Sequence, residues 1–299
     1  MIIRILLLLL GISSFNCAAD ETWGTPVVIP GTGLHLVPPP GLQVALAGPT
    51  LIDANGETVI SFAMNVSRFS LENNPTWRAI YVHPPRVITI SSLAGNLYRR
   101  TRSEDGGAWD GWMLVVPRGK QTLTVLVTYT GRDADRFEHI PDYLRTISWD
   151  DSVPNPELAV GVRLVPMGLH LVTGVFGPLS YTETGEAGAS GPSLVIQAMP
   201  LPLSKVDSIF PGNCKQVISK SLGDNQFIEP STVQRQEFAY CEGWNNGVYV
   251  ALGRLSTGAL IMAVGTSSSS RFPVSLAAFR SAMQNLQVLP GRIYQSGVR

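Results

Sequence analysis

The clearest periodicity in the chain is a strict alternation over Thr122-Leu-Thr-Val-Leu-Val-Thr-Tyr129. It puts Leu123, Val125, Val127 and Tyr129 on one face and three threonines among the others. That pattern predicts a half-buried β-strand rich in β-formers. Met113 to Val116 precedes it, and Pro117-Arg118-Gly119-Lys120 has the turn chemistry to join the two as a hairpin. Val248-Tyr-Val-Ala-Leu252 and Ala259-Leu-Ile-Met-Ala-Val264 flank Gly253 to Gly258 in the same way. This second hairpin is apolar on both faces, which predicts a central place in its sheet. A polar strand feeds each hairpin. One runs Leu97 to Arg102 and leads to Trp109-Asp110-Gly111; the other runs Val233 to Phe238 and leads to Gly243-Trp244. Asn55-Gly56, between Leu51-Ile52 and Val59-Ile60, predicts a two-residue hairpin turn.

Helical spacing follows each hairpin. Phe137, Ile140, Leu144 and Ile147 recur three and four apart, and so do Leu276, Phe279, Met283 and Leu286. Pro141 lies inside the first stripe, so that helix should begin near it. Ser270 is placed to cap the second.

The order of elements is thus written twice, and short stretches of sequence repeat with it. Gly33-Leu34-His35-Leu36-Val37 returns as Gly168-Leu169-His170-Leu171-Val172, an offset of 135 residues. Ala63-Met64 returns as Ala198-Met199 in the same register. A period of this length is a small domain rather than a solenoid unit. The expected layout is a first domain over 20–149, a linker over 150–157, a second domain over 158–290 and a tail over 291–299. Two prolines in Asp150-Asp151-Ser152-Val153-Pro154-Asn155-Pro156 make the linker stiff.

Composition adds the compartment. Arg4 followed by the apolar run Ile5 to Leu10 and by small residues reads as a secretory signal peptide over 1–19, cleaved after Ala19. Cys17 as a lipoprotein acceptor is the alternative, against which Ser14-Phe15-Asn16 is a poor approach sequence. Cleavage leaves Cys214 and Cys241, an even count that favours one disulfide in an exported chain. No later stretch is long and uncharged enough to span a membrane. Hydrophobic residues make up 44% of the chain and its net charge is zero, which allows real cores. Zero net charge without a basic run argues against nucleic acid or an anionic membrane surface as partner.

Candidate chemistry is sparse. The four histidines, His35, His83, His139 and His170, have no metal-ligand spacing to one another or to a cysteine, so no metal or other cofactor is expected. His139 reads as the polar start of a helix beside Asp133, Asp135 and Glu138. Asp53-Ala54-Asn55-Gly56-Glu57 begins like a calcium loop, but Met64 holds the twelfth position where a bidentate acid is needed. Gly185 to Gly191 is glycine-rich but falls between strands, and neither a nucleophile elbow nor a phosphate loop is present. No catalytic constellation emerges, which favours a binding protein over an enzyme. The densest charged and aromatic cluster is Arg99, Arg100, Arg102, Glu104, Asp105 and Trp109, of residue types common at binding hot spots. The same residues fit a solvated edge strand whose charges block edge pairing.

Within each half, a strand closing on a turn (Pro38-Pro39-Pro40-Gly41 in the first) leads to a hairpin and a helical segment. A polar strand, an apolar hairpin and an amphipathic helix of Phe-x-x-Ile-x-x-x-Leu type complete the half. This order resembles the PsbP-like α/β sandwich, most clearly over Trp112-Met-Leu-Val-Val-Pro, Thr122 to Gly131 and the helix to Trp149, and over Val248 to Leu286. The resemblance implies an α+β fold of two tandem domains, each an antiparallel sheet with helices on its faces. Exported proteins of this type include periplasmic immunity proteins of type VI secretion lipases. The expected function is therefore steric occlusion of a secreted toxin in the periplasm. A hydrolase with its site between the domains and an accessory of an envelope or secretion complex are the alternatives.

Overall fold

The computed structural model describes residues 25–45, 47–55, 58–65, 80–81, 84–100, 109–130, 138–150, 154–165, 168–199, 203–222, 231–234, 238–255 and 258–289. The expected leader, the tail, His83, Arg102, Glu104 and Asp105 lie outside them.

The first half contains β1 (Val27–Ile29), β2 (Leu34–Leu36), β3 (Gln43–Val44), β4 (Thr50–Ile52), β5 (Thr58–Asn65), β6 (Arg86–Ile90), β7 (Leu93–Arg99), β8 (Trp109–Arg118) and β9 (Gln121–Thr130). A helix at Ile140–Arg145 and β10 (Ser148–Trp149) close it. The second half opens with a helix at Pro156–Val160 and continues through β11 (Val162–Arg163), β12 (His170–Leu171), β13 (Leu179–Thr182) and β14 (Ser193–Met199). Helices at Leu203–Ile209 and Cys214–Leu222 precede β15 (Ser231–Gln234), β16 (Phe238–Trp244), β17 (Val248–Leu255) and β18 (Leu260–Thr266), and the helix Phe272–Gln284 and β19 (Gln287–Val288) end it.

Among the described residues two seven-stranded sheets dominate, in the orders β3-β4-β5-β9-β8-β7-β6 and β12-β13-β14-β18-β17-β16-β15. Counted along the chain, the strands of both sheets fall in the same spatial order, and all pairings are antiparallel. The apolar hairpin β17-β18 lies at the centre of its sheet, as its two apolar faces predict. Each sheet is covered on both faces. Ile60, Leu97, Leu114 and Val125 of the first pack with Ile29, Leu34 and Leu144, while Tyr98, Met113 and Val115 pack with Tyr81 on the reverse. In the second sheet Tyr249, Ala251 and Ile261 meet Phe279 and Met283, and Cys241, Val250 and Leu252 meet Val206, Cys214 and Ile218.

This two-sided covering corrects one expectation. Thr122 and Thr124 of β9 are buried, because β9 lies between β5 and β8 with packed layers on both faces. The hairpin turn after Val116 is also tighter than expected. Strand β8 runs through Pro117 to Arg118, and only Gly119-Lys120 turns. Pro117 is tolerated there because β7 pairs with β8 only from Trp112 to Val115, so no ladder N–H is missed.

The expected Asn55-Gly56 turn reaches outside the described residues at Gly56. β4 ends at Ile52, β5 begins at Thr58, and the register slips between Leu51 and Ile52. The Asp53 carboxylate accepts the Asn55 N–H at 2.9 Å, a local side-chain turn. Helix Ile140–Arg145 does begin beside Pro141. Helix Phe272–Gln284 is capped by Arg271 without a side-chain bond rather than by Ser270, whose hydroxyl meets that of Ser268. The two tryptophans of the polar feeding strands also differ in place, since Trp109 begins β8 and Trp244 ends β16.

Candidate functional site

Pleating divides the arginine cluster. Arg99 lies opposite Trp112 on the face of Leu97 and Leu114, with its guanidinium 5.5 Å from the Trp112 ring centre and 3.1 Å from the Glu138 carboxylate. Arg100 points the other way and joins Tyr81 by an isolated bridge. Burial raises the Tyr81 phenol pKa, and the nearby Arg100 charge partly opposes it. Arg99 and Arg100 thus belong to opposite faces of one strand end. Trp109 starts the neighbouring strand β8, and Arg102, Glu104 and Asp105 lie outside the described residues.

The halves meet along a seam in which each gives a residue to the other's core. Phe176, from the second half, is packed among Phe62, Met64 and Leu123 of the first. Ala47, from the first, is packed with Leu179 and Ala198 of the second. Both residues precede a Gly-Pro pair, Gly48-Pro49 and Gly177-Pro178. A side chain on Gly48 would lie 3.5 Å from the Cβ of Ala198, and one on Gly177 would lie 3.1 Å from the Cβ of Ala63. Ala63 and Ala198 are the positions that the sequence repeat pairs, so the two contacts are reciprocal. Met64 N–H donates to the carbonyl of Phe176 at 2.8 Å, extending β5 beyond the end of the short β4. The Gln121 amide also donates to the carbonyl of Gly174.

Two grooves flank the seam. One, of about 460 Å³, is walled by Met64, Val175, Phe176 and Val195, with Ser180 and Ser193 among its polar groups. The other, of about 360 Å³, lies between Pro49, Phe62, Leu126, Pro178 and Met199. The residues lining both are apolar or neutral polar, so these surfaces suit contact without desolvation of a charge.

Sequence reading passed over one buried polar cluster. Glu242 is fully buried on β16, accepts the Tyr249 hydroxyl at 2.9 Å, and accepts Arg280 through Nε at 2.9 Å and a terminal nitrogen at 2.8 Å. Arg280 also covers the Trp244 ring at 5.1 Å. Burial, reinforced by the Glu242 charge, pushes the Tyr249 hydroxyl pKa well above its ordinary value. The signal was present: a glutamate inside the apolar strand Tyr240-Cys241-Glu242-Gly243-Trp244 needs a cation to be buried. Burial likewise raises the Tyr181 pKa, and its hydroxyl reaches Glu157 at 3.4 Å.

The sequence-paired histidines take different places. His35 lies on β2, between β1 and β10, 3.3 Å from Asp150. His170 lies on β12, at the edge of the second large sheet. His139 is the N-cap of helix Ile140–Arg145, 3.9 Å from Asp142 in its first turn. Among the described residues no three His, Cys, Asp or Glu side chains gather as a metal site. Cys214 and Cys241 are joined as a disulfide, with their Cα atoms 6.5 Å apart. No protein-family model, curated protein or solved structure matches the chain.

Proposed function

We propose that the chain is an exported protein-binding protein of two duplicated PsbP-like domains, 20–149 and 158–290, that blocks a partner by covering its working surface. Within that class the favoured reading is an immunity protein acting in the periplasm on a secreted toxin of the lipase type. The observation that carries this reading is the seam, where Phe176 and Ala47 are exchanged between the two cores. A blocking protein gains affinity when its surface is held before the partner arrives, because less ordering entropy is then lost on binding. Exchanged core residues hold the two sheets in one arrangement.

The duplication is supported by the shared strand order, the repeat offset of 135 residues and the reciprocal Gly48–Ala198 and Gly177–Ala63 contacts. Export is supported by the Cys214–Cys241 disulfide, which persists in oxidising compartments. Among the described residues no helix is long and apolar enough to cross a membrane.

The test uses the full chain as bait in periplasmic extract at physiological salt. One stoichiometric protein partner, with its activity suppressed in the complex, is the expected result, over an interface on the order of 1,600 Å². Recovery of no protein partner overturns the reading.

A further inference from the structure

Among the described residues, strand β6 is the last strand of the first large sheet and pairs only with β7. The hairpin joining them turns on Ser91 and Ser92, at φ of 43° and 69°, the left-handed geometry of a tight two-residue turn. In such a hairpin the residues flanking the turn exchange backbone hydrogen bonds, and every second pair after them does the same. Ile90, Ile88 and Arg86 therefore bond to Leu93, Gly95 and Leu97. The N–H and C=O groups of Val87 and Thr89 point away from the sheet.

These outward groups are flanked by specific side chains. Val87, the second of the five residues of β6, is 64% exposed, an unusual position for a valine within a strand. Most natural edges are blocked by charge, proline or a bulge along the strand. Here Pro84-Pro85 and Arg86 guard only the entry, and the central residues are an apolar and a neutral polar one. The entry end is basic. Arg86 is exposed and lies opposite Leu97; on that face Arg99 is paired with Glu138, so Arg86 itself supplies the basic character.

We propose that β6 is a docking edge for an extended segment of a partner protein, which adds antiparallel to Val87–Thr89 and carries an acidic residue beside Arg86. Backbone bonding at Val87 and Thr89 supplies the register, Val87 supplies an apolar contact, and the basic end selects an acidic strand over a basic one. This inference rests on the proposed role as a protein-binding protein and names the chemistry of the bound segment.

The probe is a short synthetic peptide that alternates threonine and valine and ends in aspartate, compared with the same peptide ending in lysine. Titration into the full chain is followed by amide hydrogen exchange. The expected result is protection of the Val87 and Thr89 amides, with the aspartate peptide binding at least about tenfold tighter. Val87→Pro removes an outward N–H and no bond to β7, so it should abolish protection at Thr89 while β7 amides stay protected. Arg86→Glu should reverse the peptide preference, which a merely structural role would not do. No protection with either peptide, or protection unchanged by Val87→Pro, overturns the proposal. So does a dimer of the chain that Val87→Pro dissolves, because a second copy is then the occupant. If periplasmic capture succeeds equally well with Val87→Pro, the docking edge is wrong and the blocking function stands. If peptide binds as expected but no periplasmic partner exists, the reverse holds.

Discussion

Cys241 and Glu242 are neighbours on β16 that secure helices on opposite faces of the same sheet. Cys241 is joined through its disulfide to helix Cys214–Leu222, and Glu242 is bonded to Arg280 of helix Phe272–Gln284. Successive side chains of a strand alternate in direction, so two adjacent residues suffice to fix both layers.

Removing the carboxylate strands its partners. Glu242→Leu leaves the Tyr249 hydroxyl buried without that acceptor and Arg280 without its counter-charge. Arg280 keeps partial access to water, which moderates the cost, so the expected loss is about 2–3 kcal/mol. Glu242→Gln should lose less, since the amide oxygen still accepts. Urea midpoints at constant m-value measure both.

The Tyr249 cluster also sets an alkaline limit. Its hydroxyl pKa is raised in the fold, principally by burial, so the folded state favours the neutral form. The stabilisation is fully present below the unfolded value of about 10 and is lost as pH rises through the folded value. Tyr181, raised in the same direction by burial, adds to this. Stability should therefore be insensitive to these groups near neutrality and decline above about pH 10. Tyr249→Phe should flatten that decline; an unchanged slope would exclude the residue as its source.

Reduction of Cys214–Cys241 frees a connection with a sequence separation of 27. The chain-entropy account gives a loss of roughly 3–4 kcal/mol. The double substitution to alanine should unfold at correspondingly lower urea and become insensitive to reductant, while the parent loses stability when reductant is added.

Phe176 belongs by sequence to the second half and by packing to the first, where it is 1% exposed. Phe176→Ala should cost about 3–5 kcal/mol. The distinguishing readout is location: amides of β5 and β9 should exchange faster, although the substituted residue precedes β13. Loss of protection confined to the second sheet would contradict the exchanged packing.

The turn at Ser91-Ser92 carries backbone strain, because a side chain disfavours positive φ. Ser92→Gly should stabilise by up to about 1 kcal/mol as that strain is relieved. Ser91→Gly should gain less, since it also removes the bond from the Ser91 hydroxyl to the carbonyl of Ile147 at 3.0 Å. Thermal midpoints of the two variants test the order.

Strands and hairpins were readable wherever local periodicity and burial agreed. Leu123, Val125 and Val127 pack on one face as their alternation required, and β17-β18 is central because Val248 to Leu252 has no polar face. The burial of Thr122 and Thr124 was not readable, because local alternation does not reveal that the reverse face of the first sheet is packed as well, where Tyr98, Met113 and Val115 meet Tyr81. The arginines adjacent in sequence, Arg99 and Arg100, were assigned one surface although strand pleating sends them to two. Glu242 was legible as an anomaly, but its partner Arg280 lies 38 residues away and could be found only in the fold. The seam was half-written in Ala63-Met64 and Ala198-Met199, whose repetition marked the place without showing that each alanine faces the other half's glycine.

Ala159 and Val160 are consecutive in the short helix Pro156–Val160, yet Ala159 is packed into the first core and Val160 into the second. The connection that looks like a cutting point between the halves therefore leads into a shared seat. A fragment ending before it leaves the first core with a hole, and a fragment starting after it opens the second. Combined with the exchange of Phe176 and Ala47, this makes each half a borrower from the other. Co-expressed pieces would have to reassemble before either could be complete.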